Sequence, residues 1–162
     1  MSRPLHYKLV QKLYCSHGST VTALAFSPRG SYLAAGNLNG TLSICSTSSG
    51  QMLHEVQVAS GVSILSVVWI AHDEHQLLCG LGNGVVISAM ITTCVSVASC
   101  APDRYFNIIQ EVTVTGFRAH DNLPVECLSI SGSTVVTAAF SEVSLWDHSS
   151  SSVYHPLVGK QS

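Results

Sequence analysis

Charged side chains are scarce in this sequence, and their scarcity argues against several classes of partner. Among its 162 residues, 7 are Lys or Arg and 9 are Asp or Glu, so 10% are charged and the formal net charge is −2. An average soluble domain is about 25% charged. Because attraction to phosphate groups needs a basic surface, we expect no nucleic acid and no anionic membrane among the partners.

The sequence also lacks the motifs of common enzyme sites. It contains no GxSxG nucleophile elbow, no Walker-type phosphate loop and no dinucleotide fingerprint. The stretch 80–84 is rich in glycine, but no helix pattern follows it to offer an N-terminus to a phosphate. We therefore interpret this stretch as a hairpin turn, and we expect no catalytic residue, no cofactor and no enzymatic activity.

The beginning of the sequence has neither the apolar stretch nor the cleavage site of a secretory signal. This predicts a cytoplasmic or nuclear location, where thiols stay reduced. The six cysteines form no CxxC pair. Free buried thiols are the simplest interpretation, with disulfides as the alternative, and Cys94 and Cys100 are a candidate pair.

The longest stretch without a charge, residues 76–101, has enough residues to cross a membrane. Its apolar runs are short, however, and Gly82-Asn83-Gly84 is a turn signal. We therefore predict two strands linked by a turn in this stretch, and no membrane helix.

Two groups of polar residues are candidates for chemistry. The His-Asp-Glu-His cluster at 72–75 contains ligand types that bind zinc or nickel, but it lies where a hairpin turn is expected. His120-Asp121 contains the residue types of a base and its orienting carboxylate. The structural interpretation is simpler for both groups, so we predict no metal site.

A repeat of about 43 residues organises the chain. Its first copy, at 17–53, reads HGSTVTALAFSPRGSYLAAGNLNGTLSICSTSSGQML. The run 21–26 is rich in strand-forming residues, Ser-Pro-Arg-Gly fits a turn, and Asn39-Gly40 is a strong hairpin signal. The copy therefore predicts an antiparallel meander of four short strands.

The same order of strands and turns returns twice. The apolar triplets with the same spacing are Val21, Leu24 and Phe26, then Ile64, Val67 and Trp69, then Val125, Leu128 and Ile130. Asn83-Gly84 repeats the Asn39-Gly40 turn. Extra residues at about 91–106 separate the second and third copies, with Pro102-Asp103 as the expected turn.

These residues resemble the WD40-repeat family. FSPRG at 26–30, LAAG at 33–36 and NGT at 39–41 occur in the family's order, and the third copy contains the name-giving dipeptide Trp146-Asp147. The resemblance implies an all-β fold, a partial WD40-type β-propeller of four-stranded antiparallel blades. Closed propellers have four to eight blades, and the sequence shows about three. This predicts a fragment, a truncated product, or a half-propeller closed by another chain.

The resemblance divides the 1–162 chain, one partial propeller, into four segments. Residues 1–16 are expected to be the outer strand of a preceding blade. Residues 17–58 are blade 1, residues 59–118 are blade 2 with the long insert at about 91–106, and residues 119–158 are blade 3.

The family often pins a blade with four hydrogen-bonded side chains: a His before the first strand, a Ser or Thr in the second, an Asp in the next turn and a Trp in the third. Carried over by position, the resemblance assigns structural roles to His17, Asn39, Asn83, His120, Thr137, Trp146 and Asp147. The second copy has Ser60 at the His position, and the shorter turn of the third copy loses the Asp position. We therefore expect no copy to keep the full set.

The first copy departs from the family at the Trp-Asp site, where it has Cys45-Ser46. Replacing a buried Trp by a small residue costs about 3–5 kcal/mol if nothing refills the space.

The resemblance implies a non-enzymatic scaffold or adaptor for protein partners, with further propeller blades in trans or self-association as candidates. Tyr105 and Phe106, aromatic residues of the insert, are candidate anchors of an interaction loop. The alternative is a truncated propeller remnant without independent function. An enzyme on a propeller would need convergent acid, base or metal groups, which the few scattered charges do not supply.

Overall fold

The described part of the chain is built from β-strands. The computed structural model describes residues 7–15, 18–70, 74–97, 106–148 and 155–156. Within these ranges the strands are β1 Val21–Phe26, β2 Tyr32–Asn37, β3 Thr41–Ser46, β4 Met52–Gln57, β5 Ile64–Trp69, β6 Gln76–Leu81, β7 Val85–Val97, β8 Phe106–Arg118, β9 Cys127–Ser131, β10 Thr134–Ala139, β11 Glu142–Asp147 and β12 His155–Pro156. No helix in these ranges is long and apolar enough to span a membrane.

The strands form three antiparallel four-stranded sheets, each a meander in chain order. Blade 1 contains β1–β4, blade 2 contains β5–β8 and blade 3 contains β9–β12. The predicted all-β fold of four-stranded blades is thus confirmed. The sheets lie within residues 21–57, 64–118 and 127–156, and we keep the limits 17–58, 59–118 and 119–158 as proposed blade boundaries.

The turns between the second and third strands of blades 1 and 2 depend on glycine for two reasons. Gly40 and Gly84 both have a φ of +84°, which residues with a β-carbon rarely adopt. A β-carbon on Gly40 would also lie 2.6 Å from the carbonyl oxygen of Val62, and one on Gly84 would lie 3.1 Å from the backbone nitrogen of Asn122. Each turn is therefore also the place where the linker to the next blade crosses.

Blade 2 is extended by a long hairpin where the sequence predicted an insert at about 91–106. Strands β7 and β8 each have 13 residues, and their pairing runs from Val85 opposite Arg118 to Val97 opposite Phe106. The β-branched residues among 91–97 favour a continued strand. The first part of the insert is therefore strand, while Pro102-Asp103 lies outside the described residues. The uncharged stretch forms β6 and β7 as far as 97, as predicted.

The N-terminal segment differs from its prediction. We expected residues 1–16 to be the outer strand of a preceding blade, but the described residues 7–15 form no strand. A strand is stable only when a neighbouring strand satisfies its backbone groups, and none of the described strands pairs with this segment. Leu13 and Cys15 instead pack their side chains on blade 1.

Two apolar cores lie between successive blades. The core between blades 1 and 2 includes Leu42, Ile44, Ile64, Trp69 and Leu77. The core between blades 2 and 3 includes Leu78, Val86, Val125, Val135 and Trp146. Because blade 2 contributes to both cores, both faces of its inner strands are buried, as the apolar runs of the sequence predict.

Candidate interaction surface

The first strand of each blade presents three apolar side chains toward the place of the preceding blade. The pairing registers align Val21 with Ile64, Leu24 with Val67 and Leu128, and Phe26 with Trp69 and Ile130. Val125, which precedes β9, joins the first set by its spacing in the sequence and packs in the core between blades 2 and 3. These are the triplets that reveal the repeat in the sequence. We call the set of Val21, Leu24 and Phe26 the blade 1 face.

Glycines in the second strands let successive blades approach closely. A β-carbon on Gly36 of blade 1 would lie 2.9 Å from Cβ of Ile64. One on Gly80 of blade 2 would lie 2.7 Å from Cγ1 of Val125. Both distances are too short for real carbon atoms, so each internal interface needs a glycine where a side chain of the next first strand packs.

Hydrogen bonds also cross the same interfaces between successive blades. The indole Nε1 of Trp69 donates a hydrogen bond to the carbonyl oxygen of Ala25 at 3.0 Å. The hydroxyl of Thr22 donates to the carbonyl oxygen of Ile64, and that of Ser66 donates to the carbonyl oxygen of Val125 at 2.9 Å. Successive blades are therefore joined by apolar packing together with hydrogen bonds to backbone carbonyls.

The blade 1 face is exposed although its counterparts are covered. Leu24 is 59% exposed and Phe26 is 67% exposed, whereas Trp69, at the position equivalent to Phe26, is 4% exposed. The difference arises because no described blade precedes blade 1. The result is an exposed apolar surface at positions whose equivalents pack at two covered interfaces in the same molecule.

The side of blade 3 that faces away from blade 2 differs from the corresponding sides of blades 1 and 2, which contact a following blade. Ala138 occupies the position of Gly36 and Gly80, and the turn that follows has Phe140 with a φ of +52° where the other blades have glycine. Val143 and Leu145 are exposed on this side. Blade 3 therefore lacks the glycines that receive a following blade.

Blade 3 contains a buried polar network. The hydroxyl Oγ1 of Thr137 lies 2.8 Å from Nε2 of His120 and accepts a hydrogen bond from Nε1 of Trp146 at 3.0 Å. All three side chains are buried. The ring of Phe117 packs against Trp146 with their centroids 4.8 Å apart.

The acidic partner of this network is Glu142, which the sequence analysis missed. Its carboxylate Oε1 lies 3.4 Å from Nδ1 of His120, an ion-pair distance at which no hydrogen bond forms. We expected the shorter turn of blade 3 to lose the acid and no copy to keep the full set. Glu142, the first residue of β11, lies beside His120 without a hydrogen bond to it, so among the described residues this copy also lacks the full hydrogen-bonded set.

The corresponding positions of blades 1 and 2 contain no such network among the described residues. Asn39 and Asn83 act within their own turns, where their Oδ1 atoms accept the backbone N–H groups of Thr41 and Val85. In blade 2 the His position is Ala59 and not Ser60. The backbone N–H of Ala59 binds the carbonyl oxygen of Gly40, as that of His120 binds the carbonyl oxygen of Gly84.

Several sequence candidates fall outside the described residues, or their side chains do. These are His17, His72, Asp73, Cys94, Cys100, Tyr105 and Phe106. Asp147 ends β11 opposite Thr134. The roles proposed for these residues, including the interaction loop at Tyr105 and Phe106, stay predictions.

Glu74, from the predicted polar hairpin, joins blade 2 to blade 1. Its Oε1 accepts hydrogen bonds from Oγ of Ser27 at 2.9 Å and from the backbone N–H of Arg29 at 3.1 Å. Desolvation acts to raise the pKa of Glu74. The pKa nevertheless lies below its ordinary value, because the carboxylate is stabilised by these two hydrogen bonds, by a third from Ser31 and by the positive charge of Arg29. Among the described residues no group of three His, Cys, Asp or Glu side chains is arranged to hold a metal ion.

The space left by the missing Trp of blade 1 is filled by the N-terminal segment. Cys45 pairs with Leu33 in the sheet as Trp146 pairs with Val135. Cys15 packs against Cys45 in a small buried cluster. Desolvation and the neighbouring Cys15 thiol raise the pKa of Cys45 to about 12. The segment therefore covers the outer part of the side of blade 1 that also carries Leu24 and Phe26, and it leaves these two residues exposed.

Comparison with known proteins supports a propeller. Residues 3–72 match the family described as the anaphase-promoting complex subunit 4 WD40 domain. The U3 small nucleolar RNA-associated protein 15 homolog of Homo sapiens is 34% identical over 71 residues, and that of Bos taurus is 32% identical over 71 residues. The matched segment is 44% of this chain but only 13% of each relative.

A solved structure shows the same fold over most of the chain. The β-propeller domain of Cps50 (Swd1) from Myceliophteria thermophila aligns with a TM-score of 0.61 and 19% identity. The alignment covers 86% of this chain and 43% of that domain. With its three meander sheets, its repeat of about 43 residues and these matches, the chain is a partial β-propeller of the WD40-repeat type.

Proposed function

We propose that the chain is a non-enzymatic protein-interaction scaffold that binds a protein partner through the blade 1 face. One observation carries this proposal: the positions of Leu24 and Phe26 are exposed, while the equivalent positions of blades 2 and 3 pack against a preceding blade. Burying a side chain of this size contributes about 1.5–3 kcal/mol. Leu24 and Phe26 therefore have the character of anchor residues at a protein interface.

The repeated geometry indicates what kind of surface binds there. Both internal interfaces place a second-strand glycine against an apolar side chain of the next first strand. The partner is therefore a protein that offers a β-sheet blade with glycine at that position. The hydrogen bond from Trp69 to the carbonyl oxygen of Ala25 has no counterpart there, because Phe26 has no donor, so apolar packing carries the proposed contact.

A second copy of this chain is a poorer fit. Its exposed sheet is blade 3, which has Ala138 in place of the glycine and Phe140 in place of the turn glycine. The β-carbon of Ala138 would meet Val21, just as one on Gly80 would meet Val125. A blade supplied by another protein is therefore favoured over self-association.

The names of the relatives support one cellular compartment for the proposed function. They are named for association with U3 small nucleolar RNA, which supports a nuclear location over a cytoplasmic one. The net charge of −2 gives no basis for direct RNA contact, so the proposed partner is a protein.

The test compares face variants of the full chain. Wild type, the Leu24→Asp, Phe26→Asp double variant and the control Leu53→Asp are immobilised, and proteins captured from nuclear extract are compared by quantitative mass spectrometry. Leu53 is also exposed, but it lies in β4 at the outer edge of blade 1. We expect a protein with propeller blades that wild type and control capture and the double variant loses.

The same protein is then purified and its affinity is measured for all three chains. The double variant should bind at least about tenfold more weakly than the control, since losing 1.4 kcal/mol weakens binding tenfold. Equal affinity of the double variant and the control would contradict the proposal. Capture of no protein that depends on the blade 1 face would favour the alternative, a remnant without independent function.

A further inference from the structure

Two thiols from separate parts of the chain meet beneath the N-terminal segment. Sγ of Cys45, in β3, lies 3.2 Å from Sγ of Cys15. Cys45 is fully buried and Cys15 is 8% exposed. This contact is the deepest one that the described N-terminal segment makes with blade 1, because its cluster also contains Leu33 and Ala35.

The geometry of the pair follows from the small residue at position 45. In blade 3 the equivalent position holds the much larger side chain of Trp146, which packs against Phe117. With Cys at this position, the N-terminal segment approaches the sheet closely enough for the two sulfur atoms to touch. A disulfide needs the sulfur atoms to close to about 2.05 Å, a movement of roughly 1 Å.

We propose that Cys15 and Cys45 are a redox-modifiable site that forms a reversible disulfide and fastens the N-terminal segment to blade 1. The oxidant is a small disulfide of the glutathione class. The test of this inference does not involve the partner proposed above, although the N-terminal segment packs on the same side of blade 1 as Leu24 and Phe26.

The reaction balances as two thiol–disulfide exchanges. The thiolate of Cys15 attacks oxidised glutathione, forms a mixed disulfide and releases one glutathione thiolate. The thiolate of Cys45 then attacks Sγ of Cys15 and releases the second. Two protein thiols are oxidised, one glutathione disulfide is reduced to two glutathione molecules, and the two protein protons end on the released glutathione.

The two cysteines differ in reactivity, which fixes this order. Cys15 is the more exposed of the two, so it meets the oxidant first when the segment lifts. The pKa of Cys45 is raised to about 12, and only the thiolate attacks. The second exchange should therefore be the slower step, and it should be faster at pH 8.5 than at pH 7.

The experiment uses the full reduced chain and oxidised glutathione as the probe. After incubation, remaining thiols are blocked with N-ethylmaleimide at low pH, and the chain is cut after Lys, Arg and Glu. Cys15 is then the only cysteine of peptide 13–29, and Cys45 is the only cysteine of peptide 30–55. We expect these two peptides to be joined in the mass spectrum and to separate after reduction.

Stability provides the second readout. Closing a loop of this length stabilises by about 3–4 kcal/mol in the chain-entropy model, so the oxidised chain should melt on the order of 10 °C higher than the reduced chain. Cys127→Ser, at an exposed cysteine of blade 3, is the matched control and should keep both the linked peptides and the shift. Cys15→Ser should lose both.

Three results would overturn the proposal. The first is peptide 13–29 recovered only as a glutathione adduct. The second is Cys15 joined to a cysteine other than Cys45. The third is a linked pair that leaves the melting temperature of the wild-type chain unchanged. Because the peptide mapping is carried out on wild type, it remains decisive even if Cys15→Ser fails to fold.

Discussion

The hydroxyl oxygen of Thr137 joins the two other side chains of the buried network of blade 3. The hydroxyl contacts both Nε2 of His120 and Nε1 of Trp146, and all three side chains are buried. Thr137→Val keeps the shape of the side chain and removes only the hydroxyl. Leaving one buried polar group unsatisfied costs about 1–3 kcal/mol, so two such groups predict a loss of about 2–6 kcal/mol.

The size of this loss is large against the stability of a domain, which is typically about 5–15 kcal/mol. Urea denaturation followed by tryptophan fluorescence measures it, and the slope with urea should stay the same because the exposed area hardly changes. Thr134→Val is the matched control. Thr134 lies in the same strand but on the opposite side of the sheet, and its change should cost less than about 0.5 kcal/mol.

A result within about 0.5 kcal/mol of the Thr134→Val control would refute this reasoning. It would mean that the network is open to water in solution, or that the two partners of Thr137 find other hydrogen bonds.

Three further changes test other contacts. Gly80→Ala should destabilise the chain by about 1–3 kcal/mol through overpacking, because the new β-carbon would lie 2.7 Å from Val125. The control is Gly82→Ala, whose β-carbon would have only contacts of 3.7 Å or longer. It should cost less stability in the same urea titration. Phe26→Ser should leave the midpoint nearly unchanged, since Phe26 is 67% exposed, whereas Trp69→Ser at the equivalent buried position should cost about 3–5 kcal/mol; equal costs would contradict the difference in exposure. Glu74→Gln should lower stability at pH 7 but not at pH 3. A carboxyl whose folded pKa is lowered contributes stability above its unfolded pKa, and this contribution is lost as the pH falls through the folded value. Thermal melts at both pH values measure the difference.

Much of the fold follows from local sequence signals. The Asn-Gly turns, the Ser-Pro-Arg-Gly turn and the repeated apolar triplets place the strands of all three sheets, since turn chemistry and strand period act over a few residues. Hydrogen bonds join His120, Thr137 and Trp146, three residues to which the resemblance assigned structural roles. Their positions depend on register within one sheet, which the repeat specifies.

The remaining features depend on contacts between distant parts of the chain. Glu142 was missed because a one-residue change in turn length moves the acid from the turn to the strand. The segment 7–15 has strand-like alternation, but a strand also needs a pairing partner, which local sequence does not reveal. The filling of the space at Cys45 by Cys15 joins residues 30 positions apart, and no local pattern connects them.

The central claim is that the blade 1 face is a docking surface left exposed in this chain, and hydroxyl-radical footprinting tests it most directly. The purified chain is labelled at about 1 μM and about 100 μM, and the modification of Phe26 and Trp69 is measured by mass spectrometry. Trp69 is buried and Phe26 is exposed, so Phe26 should be labelled readily and Trp69 weakly at both concentrations. Protection of Phe26 at both concentrations would contradict the claim that the face is exposed, and protection that appears only at the higher concentration would mean that a second copy covers it.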